Sequence, residues 1–226
     1  MPSVATGDPP PPYAVPPGSH AEVAWAHGNG RQPSRMGGGG RHTVCRMVQP
    51  REVTLPSVVV IGVSGSGKST VAARLAARLG REFVEGDEFH PAENVAKMSA
   101  GIPLTDEDRL PWLGSLAGVL AERAASGRPV VLSCSALRRR YREILRAGDP
   151  SLVFIHVHGA AEVLRNRIEA RRDHFMPPNL LESQLASMEP LAQDEPGVTV
   201  SVVGSPDEVF ERAVAALAGL RSVRTG

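Results

Sequence analysis

The chain has 226 residues, 42% of them hydrophobic, with 25 Lys and Arg against 24 Asp and Glu and a net charge of +1. That balance gives no bulk electrostatic argument for a nucleic-acid partner. Two cysteines, Cys45 and Cys134, do not make a disulfide framework, and no apolar run approaches the ~20 residues that cross a bilayer.

Residues 1 to 54 stand apart in composition, with Pro9-Pro10-Pro11-Pro12 and Gly37-Gly38-Gly39-Gly40 and no apolar periodicity. Such a segment cannot bury enough surface to offset its ordering entropy, so a disordered tail is expected there. Met36 and Met47 are candidate alternative starts. No basic region leads into an apolar stretch, so no secretory signal is read, and the prolines oppose the amphipathic helix of a transit peptide. The expected location is the cytoplasm. Residues 55–226 suit one domain with a sizeable core.

The first predicted strand, 57–62, contains Val58-Val59-Val60-Ile61 and leads into Gly62-Val63-Ser64-Gly65-Ser66-Gly67-Lys68-Ser69-Thr70, then a helix over 68–80. This is the G-x-x-x-x-G-K-[ST] phosphate loop in its required setting of strand, glycine-rich turn and helix. Its glycines let backbone N–H groups turn inward around phosphate oxygens, and the helix N-terminus adds free donors and a positive dipole end. Lys68 is placed to reach the β- and γ-phosphates, and the Ser69 hydroxyl to ligate Mg²⁺. Gly80 suits the position just past the helix.

A second strand over 82–85 ends at Gly86-Asp87-Glu88, followed by helices near 91–100 and 108–126. Strands at 129–134 and 152–158 are nearly continuous apolar runs, as strands buried on both faces should be. Cys134, inside the first of them, reads as a small core residue. Helices are expected at 137–147, 160–171 and 178–188, then a strand at 197–203 and a helix at 206–220. Alternating strands and helices predict an α/β fold with a parallel sheet. The stretch from about 172 to 193 interrupts that alternation where a lid over the phosphate loop would sit.

A phosphate loop alone leaves several enzyme classes open. No N-K-x-D stretch reads guanine, and Val130-Val131-Leu132-Ser133-Cys134-Ser135 carries no acid at its end, unlike motor-type ATPases. Asp87, at the end of the second strand, is the acid available where ligands bind in open α/β sheets.

From that point the chain reads Gly86-Asp87-Glu88-Phe89-His90-Pro91, Asn94, Lys97-Met98, Gly101, Pro103-Leu104, Asp106, Asp108-Arg109 and Pro111-Trp112-Leu113. Ser133-Cys134-Ser135-Ala136-Leu137, His174-Phe175-Met176-Pro177, Gln184 and Glu189-Pro190-Leu191 follow. In these blocks, over about 57–222, the chain resembles the gluconate kinase family. The resemblance implies a three-layer P-loop fold of the nucleoside and shikimate kinase type, with five parallel strands flanked by helices and a lid. It also implies transfer of the ATP γ-phosphoryl group to the 6-hydroxyl of D-gluconate, with Mg²⁺, feeding the pentose phosphate pathway, in a homodimer. Asp173 departs from the Gly that some relatives carry before His-Phe. Another kinase such as shikimate kinase, or a nucleotide-binding regulator without catalysis, is the alternative.

A sugar acid needs a cation for its carboxylate and polar side chains for its hydroxyls. Asp87 is assigned to orient or deprotonate the attacked hydroxyl, and His90 to bind hydroxyls. Lys97 and Arg109, from a helical subdomain at about 88–127, are candidates for the carboxylate or hydroxyls, the guanidinium having the better geometry. Within Arg138-Arg139-Arg140 and Arg142, mostly a solvated face, Arg138 or Arg139 is expected to reach substrate. Arg171, with Arg167 nearby, is expected to close on the phosphates during transfer. Trp112 is expected to pack the subdomain.

Overall fold

A computed structural model describes residues 55–169 and 178–224. The strands are β1 (Val58–Ile61), β2 (Phe83–Glu85), β3 (Val131–Cys134), β4 (Val153–His158) and β5 (Gly197–Ser201). The helices are α1 (Lys68–Leu79), α2 (Ala92–Ser99), α3 (Asp106–Ala125), α4 (Arg139–Gly148), α5 (Ala161–Glu169), α6 (Pro178–Ser187) and α7 (Pro206–Arg224). All five strands run parallel in the order β2-β3-β1-β4-β5. The expected tail, residues 1–54, lies outside the described residues.

The period of two along each strand divides the core. Val58, Val60, Val153, Ile155 and Val157 face a cluster with α1 and α7. Val59, Ile61, Leu132, Cys134 and Phe154 face Trp112, Leu113, Leu116 and Leu120 of α3 and Tyr141 and Leu145 of α4. The result is three layers, helix on sheet on helix. Burial pushes the Cys134 thiol up to about 12, so it stays a neutral core group.

The order places β1 in the middle, with every strand's carboxyl end on one edge. The chain leaves β1 for β2, two places away, returns to β3, and then crosses to β4 on the other side of β1. The loops after β1, β2 and β3 therefore converge beside the point where the winding reverses, the place for a ligand crevice.

Two helix starts are set by side chains. Thr105 caps α3 through Asp108 N–H, and the Asp108 carboxylate accepts from Thr105 N–H, a reciprocal capping box. Ser205 and Glu208 make the same exchange at α7.

Arg142 corrects the expectation of a solvated arginine face. It is fully buried in α4 and forms a two-pronged ion pair with buried Glu195, at 2.6 and 2.7 Å. Its other N–H groups donate to the carbonyls of Leu137, Glu189 and Pro190. Glu189 N–H also bonds Leu137 O at 2.9 Å, and the Glu189 carboxylate accepts Arg139 N–H. The Glu189-Pro190-Leu191 block is thus a strap tying the end of the expected lid to α4. Residues 172–177 of that lid lie outside the described residues.

Candidate active site

The donor side is the turn after β1. Gly67 caps α1 with φ +86°, a left-handed conformation that any side chain would strain. The backbone N–H groups of Gly65, Gly67, Lys68 and Ser69 have no acceptor among the described residues, and Ser66 Oγ is buried without a partner. Such inward donors at a helix start form a nest for an anion with several oxygens, and a polyphosphate fits it. Gly62 and Val63 enter the turn, with Val63 packed in the core. Lys68 is only 8% exposed and projects from the first helical residue. Ser69 and Thr70 follow in the same first turn.

The acceptor side begins at the end of β2, where the chain is clamped. A Cβ on Gly86 would lie 2.3 Å from the carbonyl oxygen of Ser133, so only glycine passes β3 this closely. Trp112 Nε1–H donates to Gly86 O at 2.7 Å from a fully buried indole. The Glu85 carboxylate accepts from Asp87 N–H and from the Ser133 hydroxyl. The clamp leaves the Asp87 carboxylate 3.9 Å from Lys68 Nζ, with its side chain 54% exposed. His90 stacks on Trp112 with ring centres 4.1 Å apart and planes at 17°. Asn94 steadies that ring, lying 3.4 Å from His90 Nδ1 and donating to Asp108 O. Burial lowers the His90 pKa, the Asp87 carboxylate works against that, and the Arg109 charge adds to it.

These groups share a cleft of about 270 Å³. Ser64 and Lys68 form the donor wall, with Asp87 and His90 beside them. Met98 and Ser99 come from α2, Leu104 from the loop after it, Arg109 from α3, Ser135 from the end of β3, and Leu180, Ser183 and Gln184 from α6. Arg109 is half-buried, and burial is the main cause lowering its pKa. Its guanidinium lies 5.9 Å from the Tyr141 ring centre and has no carboxylate partner among the described residues.

Three predicted substrate residues do not line the cleft. Lys97 is held at 2.6 Å by Asp108, the capping residue of α3. Arg138 pairs with Asp106, which also takes Arg140 and the Tyr141 hydroxyl. Arg139 is shared between Asp194 and Glu143, and that pairing raises its pKa. In each case a neighbouring acid, invisible as a partner in sequence, takes the charge.

Arg167 lies across the loop from the acceptor cleft. Its guanidinium donates to Val202 O at 2.6 Å and Gly204 O at 3.1 Å, and it lines a second cavity of about 280 Å³ with Gly67, Thr70, Pro206 and Val209. That largely apolar wall suits the nucleoside end of a nucleotide. Arg171 and His174 to Pro177 lie outside the described residues.

Gln184 carries no role in the sequence reading, yet its Oε1 accepts Ser64 N–H at 2.7 Å across 120 residues of chain. Ser99, Ser135 and Ser183 are also new to the site. Ser99 and Ser183 are isolated serines that carry no signal in sequence, and Ser135, though inside the Ser133–Leu137 block, carries no assigned role there; only the fold brings the three to one wall.

A phosphate loop after the central strand, an acid after the strand two places away and a cleft between them define a phosphate-loop kinase of small molecules. The family model described as an AAA domain matches residues 58–191. The chain is 50% identical over 157 residues to the gluconokinase of Gluconobacter oxydans, covering 70% of this chain and 88% of that protein. Among solved structures, the gluconokinase of Sinorhizobium meliloti 1021 superposes with a TM-score of 0.69 at 47% identity, covering 74% of this chain and 93% of the other. An unliganded sugar kinase from Janibacter sp. HTCC2649 gives the same TM-score at 50% identity, over 72% and 94%. The chain belongs to the gluconokinase family.

Proposed function

We propose that this protein transfers the terminal phosphoryl group of ATP to the 6-hydroxyl of D-gluconate, giving ADP and 6-phospho-D-gluconate. One observation carries the reading: Arg109, a half-buried guanidinium without a carboxylate partner among the described residues, shares one cleft with Lys68 and Asp87. A desolvated cation facing an open cleft calls for an anionic ligand. A sugar acid brings that charge, and its chain of hydroxyls meets Ser99, Ser135 and His90 along the wall.

Each group has a separate task. The loop N–H donors and Lys68 hold the donor phosphates. Ser69 is the residue that would hold Mg²⁺, which when bound screens phosphate charge. Asp87 accepts a hydrogen bond from the attacked hydroxyl and aims it in line. The transition state of phosphoryl transfer is loose, so this aiming matters as much as proton removal. Arg171 is assigned to close on the phosphates. Arg109 pairs with the far carboxylate and sets which hydroxyl faces the donor. The enzyme is proposed to be a cytoplasmic homodimer.

A coupled assay with ATP, Mg²⁺ and a panel of sugar acids tests the reading. Gluconate should be turned over and shikimate should not. Turnover of shikimate or a nucleoside monophosphate, with none of gluconate, overturns it. Calorimetry that shows ATP binding but no heat from gluconate would instead support a regulator.

A further inference from the structure

Gln184 sits at the boundary between donor loop and acceptor cleft. It stands on α6 one turn after Leu180 and next to Ser183, and all three line the cleft with Lys68, Asp87 and Arg109. One end of its carboxamide is committed: Oε1 accepts the Ser64 N–H at 2.7 Å. The chemistry fixes the amide's orientation, because the reverse placement would set N–H against N–H. Its Nε2, which carries two N–H donors, has no acceptor among the described residues. A half-buried amide that spends its acceptor on the loop therefore keeps its donors for a ligand.

We propose that Gln184 is a catalytic residue of this enzyme, its Nε2 donating to an oxygen of the donor's terminal phosphoryl group while its Oε1 fixes the Ser64 end of the phosphate loop. The inference rests on the kinase reading above, since it needs a nucleotide triphosphate on the loop. Ser64 is the loop residue that lines the acceptor cleft together with Lys68. A group bonded to Ser64 N–H therefore lies where the last phosphate meets the acceptor. A neutral donor there adds to Lys68 without a further charge, and donors aimed at transferring oxygens are worth about 10²–10³ in rate elsewhere.

Two roles must be separated, a latch between α6 and the loop and a donor to phosphate. Gln184→Glu keeps an acceptor for Ser64 N–H but loses the donor and places a negative charge beside phosphate. Gln184→Met, of similar length, loses both. A latch alone makes Gln184→Met lose ADP and analogue alike, whereas donation makes its loss specific to the analogue; Gln184→Glu adds charge repulsion to the lost donor.

The test is titration calorimetry of the full chain with Mg²⁺ and either a non-hydrolysable ATP analogue or ADP, with thermal melts as a check on folding. The expected result is ADP affinity within about 3-fold of the unaltered chain for both variants. Analogue affinity should fall about 10-fold in Gln184→Met and further in Gln184→Glu, and turnover should follow the same order. Analogue binding by Gln184→Glu equal to that of the unaltered chain overturns the proposal, as does equal loss for ADP and analogue. The binding arm contains no gluconate. A chain that fails to phosphorylate gluconate yet shows this analogue-specific loss refutes the substrate reading and leaves the role of Gln184 standing.

Discussion

Arg109 shows how one side chain can trade stability for binding. Its guanidinium loses solvation in the cleft wall and gains no carboxylate from the protein among the described residues, only the edge of contact with Tyr141. Arg109→Met should therefore raise the KM for gluconate about 30–150-fold, the value of a charge-assisted pair at ~2–3 kcal/mol. The same variant should not lower the melting temperature of the ligand-free chain, because it removes a desolvated charge. A variant with an unchanged KM, or one that melts well below the parent, contradicts this account. Arg109→Lys separates charge from geometry: a point charge should recover only part of the loss, because it cannot pair bidentately. Lys97, Arg138 and Arg139 read much like Arg109 in sequence. They differ in having Asp108, Asp106 and Asp194 within reach, and the last two pairings cross 32 and 55 residues of chain. Motif spacing told which residues carry charge, and only the fold tells which charges are already satisfied.

At the level of elements, the local signals were legible because they are short-range. The switch from period two to helical spacing, Gly80 past the end of α1 and the acidic start of α7 placed the strands β1–β5 and the α-helices α1–α7 within a few residues, but not the 3-10 turn Gly86–Phe89 that carries Asp87. Long-range partnerships were not legible, and Arg142 is the plainest example. It sits in a run of arginines on a strongly amphipathic helix, which reads as a wet face, yet it points inward to Glu195. Burial alone would raise the Glu195 pKa, but the bonds from Arg142 lower it overall. Arg142→Met should destabilise the chain by about 3–5 kcal/mol, since it leaves Glu195 buried without its cation. Adding Glu195→Met should restore only part of that loss. The carbonyls of Leu137, Glu189 and Pro190 lose a donor in both variants, and a buried orphan carbonyl costs about 1–3 kcal/mol. Denaturant unfolding of the single and double variants checks both steps. Full recovery in the double variant would mean that the strap formed by Glu189-Pro190-Leu191 contributes nothing.

For the whole molecule, every group of the described site comes from residues after 55, so deleting residues 1–47 should leave gluconate turnover near that of the full chain. The larger of two histidine contributions to the pH dependence of stability comes from a residue far from the chemistry; His90 in the cleft, also lowered by burial, acts in the same direction. His156 lies on β4, 4% exposed on the α4 side of the sheet, with Nδ1 buried and unpartnered. Burial, with His158 and the Arg142 charge adding to it, lowers its pKa from 6.5 to about 4. A histidine held neutral in the folded state binds its proton more readily when unfolded. Its contribution is therefore complete above pH 6.5 and is lost as pH falls from there towards about 4. At ~1.4 kcal/mol per pH unit, this amounts to about 2 kcal/mol by pH 5, or roughly 5 °C in melting temperature for a chain of this size. The Glu195 carboxylate acts in a separate window, because a lowered acid loses its contribution only as pH drops below its ordinary 4.5. The two effects are thus separable. Melting curves at pH 7, 6 and 5 should descend in the parent and lie much closer together in His156→Leu, whose side chain cannot charge against Arg142. If both proteins lose the same number of degrees over that range, the acid sensitivity originates elsewhere and His156 is a silent core residue.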